Sequence, residues 1–174
     1  MVRHILICGE RGVGKSTLIQ RLLASCPLPR AGFYTRRLEA DANGLHPVYL
    51  LPAGEEARYT PENLIGVCDR RARNPKLAVF DTLGVSCVRS ARPGSILVMD
   101  ELGFLESRAE DFTAAVLDAL AGDIPILAAV KNRPDVPFLH SVLSAEKADV
   151  FLITTENRDE LYDLLLPRIR SLSV

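Results

Sequence analysis

The chain carries almost no net charge. Its 21 Lys and Arg stand against 22 Asp and Glu, leaving −1 at pH 7, and the pI is near 6.3. That balance argues against a general affinity for DNA, RNA or acidic membranes, although it leaves room for a local basic patch. Cysteine is scarce and scattered. Cys8, Cys26, Cys68 and Cys87 form no C-x-x-C pair, and no His stands at zinc spacing from them. They read as reduced thiols of a cytoplasmic protein, with Cys8 in the core. Long apolar runs are missing too. No segment approaches the roughly 20 apolar residues that span a bilayer. The first apolar run is too short for a signal peptide, because glycines and charges follow it at once. Repeats and low-complexity tracts are absent. What remains is 174 residues, 48% hydrophobic and 25% charged, which suits one soluble domain over residues 1–174.

Apolar runs alternate with amphipathic ones. His4 to Cys8 is β-branched and apolar and ends at Gly9, which predicts a buried strand. From Ser16, Leu18, Ile19, Leu22 and Leu23 recur at helical spacing, and the helix should stop before Pro27 and Pro29. Gly32 to Leu38 and Asn43 to Leu51 predict a hairpin across a turn rich in Asp, Asn and Gly. Residues 52 to 76 are polar and predict loops or short edge strands. Lys76 to Phe80 is another apolar run, followed by a short helix through Val88. Ser95 to Gly103 is an apolar strand that ends in two carboxylates. A helix over Ala109 to Ala121 should place Phe112, Val116, Leu117 and Leu120 on one face. Ile124 to Val130 is the next strand, Pro137 to Lys147 a weaker helix, and Val150 to Thr154 the last strand. The final helix should start near Asn157, with Glu160 completing a capping box and Pro167 kinking or splitting it. Such alternation predicts an α/β fold, a three-layer sandwich with a mainly parallel central sheet.

The chemistry concentrates at two strand ends. Residues Gly9 to Thr17 read GERGVGKST and fit G-x-x-x-x-G-K-[ST] between a strand and a helix, the context that a phosphate loop requires. Backbone N–H groups of such a turn converge on phosphate oxygens, and the following helix presents its positive end to the same anion. Gly9, Gly12 and Gly14 supply the permissive backbone. Lys15 adds a charge between the β- and γ-phosphates, and the Ser16 hydroxyl is a Mg²⁺ ligand. Glu10, Arg11, Val13 and Thr17 complete the loop without special roles.

Asp100, at the second strand end, fits a Mg²⁺-holding carboxylate, and Glu101 beside it fits the base that takes a proton from the attacking water. Alone, such a pair also reads as solvated acids. Glu106 fits either an acid that supports the residues around the metal or a solvated residue ahead of a helix. Lys131 and Asn132 end a strand where a γ-phosphate contact is one reading and an ordinary polar end the other. Arg70, Arg71 and Arg73, with Arg36, Arg37 and Arg133, are candidate arginine fingers or solvated charges. Asn157 reads as a helix cap or a nucleobase contact.

Four stretches carry a family resemblance: RHILICGERGVGKSTLI, GFYT at Gly32 to Thr35, DELGFLES at Asp100 to Ser107, and TENRDEL at Thr155 to Leu161. In their order and spacing the chain resembles the small cancer-related nucleoside-triphosphatases, P-loop NTPases with an additional strand and a catalytic glutamate. The resemblance implies nucleotide phosphates on Gly9 to Thr17, metal and water on Asp100 and Glu101, and slow hydrolysis of several nucleoside triphosphates (NTPs) with little base preference. Arg36 and Arg37 stand where that family usually has acids. Phe104 and Leu105 replace its lysine and methionine.

Two other readings stay open. A small-molecule or nucleotide kinase needs an acceptor pocket and a lid, which residues 52 to 93 have room to supply. A GTP switch finds D-x-x-G at Asp100 to Gly103, but the N-K-x-D of guanine recognition is missing. A binding module without turnover is the remaining variant of that second class. No protein partner or nucleic-acid site is legible.

Overall fold

The computed structural model describes residues 4–68, 72–73 and 75–172. One eight-stranded sheet runs in the order β5-β4-β3-β2-β6-β7-β1-β8. Its strands are β1 (His4–Gly9), β2 (Arg30–Arg37), β3 (His46–Pro52), β4 (Leu64–Cys68), β5 (Ala72–Arg73), β6 (Ile96–Leu102), β7 (Ile126–Lys131) and β8 (Ala148–Leu152). From β2 through β8 every neighbouring pair is parallel. β3, β4 and β5 extend the sheet antiparallel beyond β2. The fold class read from the sequence is therefore the one observed, and the polar stretch after Pro52 supplies the short edge strands expected of it.

Period-2 alternation along buried strands divides the interior into two cores. Ile5, Ile7, Val98, Leu127 and Ala129 face one side, with Leu18, Ile19 and Leu22 of α1 (Lys15–Leu23) and Leu165 and Ile169 of α6 (Arg158–Arg170). Leu6, Leu97, Met99, Ala128 and Val130 face the other. There they meet Val88 of α3 (Val85–Arg89), Phe112 and Val116 of α4 (Glu110–Ala121) and Leu139 of α5 (Pro137–Leu143). Phe112 anchors this second core through ring contacts at 5.5 Å to Phe33 and 5.3 Å to Phe80. The three layers are thus helix, sheet, helix. No helix among the described residues is long and apolar enough to cross a membrane.

At Gly32 the backbone requires glycine on two counts. Its φ is +97°, and a Cβ would stand 2.0 Å from the Val98 carbonyl oxygen of β6. The first residue of GFYT thus lets β2 lie against β6 and so places Thr35 beside the carboxylate end of that strand.

Several local expectations need correction. The Lys76–Phe80 run is not extended: α2 (Leu77–Val79) begins within it, and a π-helical turn over Phe80–Gly84 leads into α3. Burial on the face of α4 belongs to Phe112, Ala115, Val116 and Leu120, whereas Leu117 is exposed. The helix from Pro137 ends at Leu143 because Lys147 is needed by the sheet, its carbonyl accepting the His4 N–H at 2.8 Å. No capping box forms at α6. The Asn157 side chain accepts the Thr154 N–H at 2.7 Å and donates to the Leu152 carbonyl at 2.9 Å, so it ties the turn instead of capping the helix. Pro167 sits inside α6 without splitting it.

Candidate functional site

β1 and α1 are joined by the glycine-rich turn. Gly14 caps the helix in the left-handed region at φ 105°, a conformation that glycine adopts without steric cost, so that α1 begins at Lys15. The Lys15 ammonium is buried and folded back over the turn. It donates to the Gly9 carbonyl at 2.8 Å and to the Glu10 carbonyl at 2.7 Å. The Glu101 carboxylate approaches the same ammonium at 3.2 Å.

Asp100 and Glu101 stand at the end of β6, on the far side of β7 from the loop. Asp100 pairs with Ala129 and Leu102 with Val130, so Glu101 is the extra residue of a bulge in the β6–β7 ladder. Such a bulge re-aims a side chain. Here the carboxylate lies between Lys15 and Lys131, whose ammonium is 3.6 Å from Glu101 Oε1. Lys131 reaches it from the end of β7, with its stem passing over Gly103.

Asp100 is 5% exposed and accepts the Ser16 hydroxyl at 2.8 Å. Burial pushes its carboxyl up to about 6, and nearby Glu101 adds to the rise, against lowering by the Ser16 hydrogen bond and Lys15. The Thr35 hydroxyl donates to the Asp100 carbonyl at 3.5 Å. Glu106 is likewise buried, accepts the Gly103 N–H, and has a carboxyl pushed up to about 7 chiefly by loss of water. Its solvated reading is therefore wrong, because the chain buries it under the loop that follows β6.

Arg11, Gly12, Gly14, Lys15, Ser16 and Thr17 from the loop, with Thr35, Asp100 and Glu101, enclose a cleft of about 350 Å³. Gly9 and Glu10 contribute carbonyls to Lys15, and Val13 packs against the α1–α6 core. The phosphate-loop residues and the two carboxylates thereby share one neighbourhood. Thr35 was not singled out from sequence beyond the GFYT stretch, because a lone Thr in a strand carries no signal of its own.

None of the candidate arginine fingers among the described residues lines this cleft, although Arg36 lines a neighbouring one that shares Ser16, Thr35 and Asp100 with it. Arg133 is held in a two-pronged pair with Asp135 at 2.8 and 2.7 Å, and Arg36 donates to the Tyr59 hydroxyl at 2.9 Å. Arg37 has a partner of its own. Arg70 and Arg71 lie outside the described residues, and Arg73 belongs to β5, with five strands between it and β1. Asn132 is exposed. Cys8, Cys26, Cys68 and Cys87 are free thiols.

Chemically, the cleft offers a backbone anion cradle, two ammonium groups, a hydroxyl–carboxylate pair and a second carboxylate beside them. The chain as a whole is similar to known proteins. A family model described as NTPase matches residues 4–166. The chain is 31% identical to the cancer-related nucleoside-triphosphatase homolog of Bos taurus, over 98% of both chains. It is 29% identical to nucleoside-triphosphatase THEP1 of Thermotoga petrophila, over 93% of this chain and 90% of that one. The crystal structure of THEP1 from the hyperthermophile Aquifex aeolicus superposes with a TM-score of 0.73 at 19% identity, covering 95% of this chain and 98% of that one. The solution structure of a human cancer-related nucleoside triphosphatase superposes at 0.69 and 24% identity, covering 99% and 100%. At those identities the two structures speak for the fold.

Proposed function

This chain belongs to the NTPase family and is a nucleoside-triphosphate hydrolase, and on that premise we propose how it works: it binds Mg²⁺–NTP on Gly9 to Thr17, with low base specificity, and uses Glu101 to activate water. The observation that carries this reading is the joining of two pairs in one cleft. Ser16 meets Asp100 at 2.8 Å, and Lys15 meets Glu101 at 3.2 Å.

The donor set suits Mg²⁺. The Ser16 hydroxyl and the Asp100 carboxylate are hard oxygens, and no Cys or His lines the cleft. Among the described residues no group of three or more His, Cys, Asp or Glu is placed to hold a metal ion. That agrees with an ion bound through one or two side chains, water and the substrate's own phosphates. Ser16 and Asp100 would hold it, and once bound it would neutralise charge on the phosphate oxygens.

The chain's own groups account for the rest. Loop N–H groups and Lys15 bind the β- and γ-phosphates. Glu101 accepts a proton from water as the water oxygen bonds to the γ-phosphorus and the bond to the β–γ bridging oxygen breaks, releasing NDP and phosphate. Lys131, 3.6 Å from Glu101, orients that carboxylate. A second reading, transfer to a small acceptor, draws on a neighbouring cleft of about 400 Å³. That cleft shares Ser16, Thr35 and Asp100 with the site and adds Gln20, Arg30 and Glu55.

Incubation with ATP, GTP, CTP or UTP separates these outcomes. Phosphate should be released without any added acceptor, from more than one NTP and only with Mg²⁺. Turnover should lie well below the roughly 1–100 per second of kinases. Strict dependence on GTP, or release only when an acceptor is supplied, would overturn the proposal.

A further inference from the structure

The sheet order gives the phosphate loop two unlike flanks. On one, β7 and β6 bring Lys131, Asp100 and Glu101 to the cleft. On the other, β8 lies beside β1 and leads through a short turn into α6, the first residue of which is Arg158. If Glu101 marks the γ-phosphate end, as proposed above, an extended triphosphate lying along the loop leaves the cleft toward this second flank. Whatever stands there meets the nucleoside.

Arg158 stands there. A Cβ built on Gly14 would lie 3.6 Å from both Cδ and Nη1 of Arg158, so the side chain runs against the loop backbone at Gly14, itself part of the cleft lining. The turn that delivers it is fixed. Asn157 accepts the Thr154 N–H at 2.7 Å and donates to the Leu152 carbonyl at 2.9 Å, and the Ile153 N–H donates to the Cys8 carbonyl at 2.8 Å. Two of the acids near it in sequence are engaged elsewhere: Asp159 with Arg21 at 2.8 Å, and Glu156 with the Thr155 hydroxyl at 2.9 Å. Arg158 itself is exposed and has no hydrogen-bond or ion-pair partner among the described residues.

A braced, unpaired guanidinium beside the outgoing nucleoside suits a flat aromatic ring. Guanidinium planes stack on aromatic faces, and such stacking tolerates any base because every base has a π-face. We infer that Arg158 is the nucleobase contact of this enzyme, a stacking platform that holds purine and pyrimidine rings alike and reads no base edge. The inference rests on the placement of the γ-phosphate at Glu101. It supplies a physical reason for broad NTP use in a chain without a base-specific motif.

Calorimetry with Mg²⁺ present tests it by binding, apart from turnover. The probes are ATP, GTP, CTP, UTP and inorganic triphosphate, on the wild type, Arg158→Ala and Arg158→Lys. Arg158→Ala should weaken all four NTPs by roughly three- to tenfold, the purines most, as expected for losing one exposed cation–π contact. Inorganic triphosphate, which has no base, should bind all three proteins equally. Arg158→Lys should behave like Arg158→Ala, because it keeps the charge and loses the plane. Equal weakening of triphosphate and NTPs would mean that Arg158 holds a phosphate and would overturn the inference, as would rescue by lysine or unchanged NTP affinity in Arg158→Ala. Absence of phosphate release by the wild type would instead count against the proposed hydrolysis, and these binding results would stand independently of it.

Discussion

Glu106 is 4% exposed, and its carboxyl accepts the Gly103 N–H at the root of the loop after β6. Loss of water raises its pKa from 4.5 to about 7. Between those values the folded chain holds a proton that the unfolded chain has released. The stability this group contributes is therefore full below about pH 4.5 and is lost as pH rises through 7. Asp100, raised to about 6, acts in the same direction. Glu106→Gln cannot ionise and can still accept the Gly103 N–H. Urea unfolding at pH 5 and pH 8 should show the wild type weaker at pH 8, and the variant losing less between the two. At pH 8 the variant should be the more stable, by up to roughly 3 kcal/mol. A variant less stable than the wild type at pH 8 would mean that Glu106 is charged and held by its neighbours. The phosphate loop was legible at this scale because each residue type has a fixed duty there: glycine for the backbone, lysine for charge, serine for a metal. Glu106 was not, since a Glu in a loop ahead of a helix looks the same whether the chain covers it or leaves it in water. Thr35 and Arg158 stood out only as members of the GFYT and TENRDEL stretches, because their individual significance lies in what packs beside them.

Among the elements, β1, β6 and β7 were readable because strands buried on both faces read as continuous apolar runs bounded by Gly or acids. The helical turn within Lys76 to Phe80 was not, because that run is short and apolar, a pattern that does not separate a strand from a buried helical turn, while the short helix expected after it through Val88 is there as α3. The capping-box signal at Asn157 failed through competition, the same side chain being able to bond its turn instead. β2 owes its place to Gly32, where a Cβ would lie 2.0 Å from the Val98 carbonyl oxygen at a φ of +97°. Gly32→Ala must push β2 from β6 or strain the backbone, and neither β strand can shift without disturbing Phe33 and Leu97 in the core. Thermal unfolding should show a loss of more than about 4 kcal/mol, in the range reserved for severe core defects. An Ala variant that melts with the wild type would contradict the packing described for this strand pair.

Across the whole molecule, the sheet joins groups that the sequence holds far apart. Ser16 and Asp100 are 84 residues from one another along the chain and 2.8 Å apart in space. The parallel architecture followed from strands alternating with helices, but the strand order did not. The antiparallel β2–β3 pair was legible as a hairpin, but placing β7 between β1 and β6, and adding β4 and β5 beyond β3, depends on which faces pack together rather than on any local pattern. That order sets Asp100 against Ser16 and, one residue later, Glu101 against Lys15. In the proposed mechanism the two acids do different work, Asp100 at the metal and Glu101 at the water. Nucleotide affinity and phosphate release measured together on Glu101→Gln, with Asp100→Asn beside it, test that division most directly. Glu101→Gln keeps the shape and removes the proton acceptor, so Mg²⁺–NTP affinity should stay within a few-fold while hydrolysis falls by roughly 10²–10⁴. Asp100→Asn should lose Mg²⁺-dependent affinity together with turnover. Normal hydrolysis by Glu101→Gln, or equal loss of binding in both variants, would contradict it.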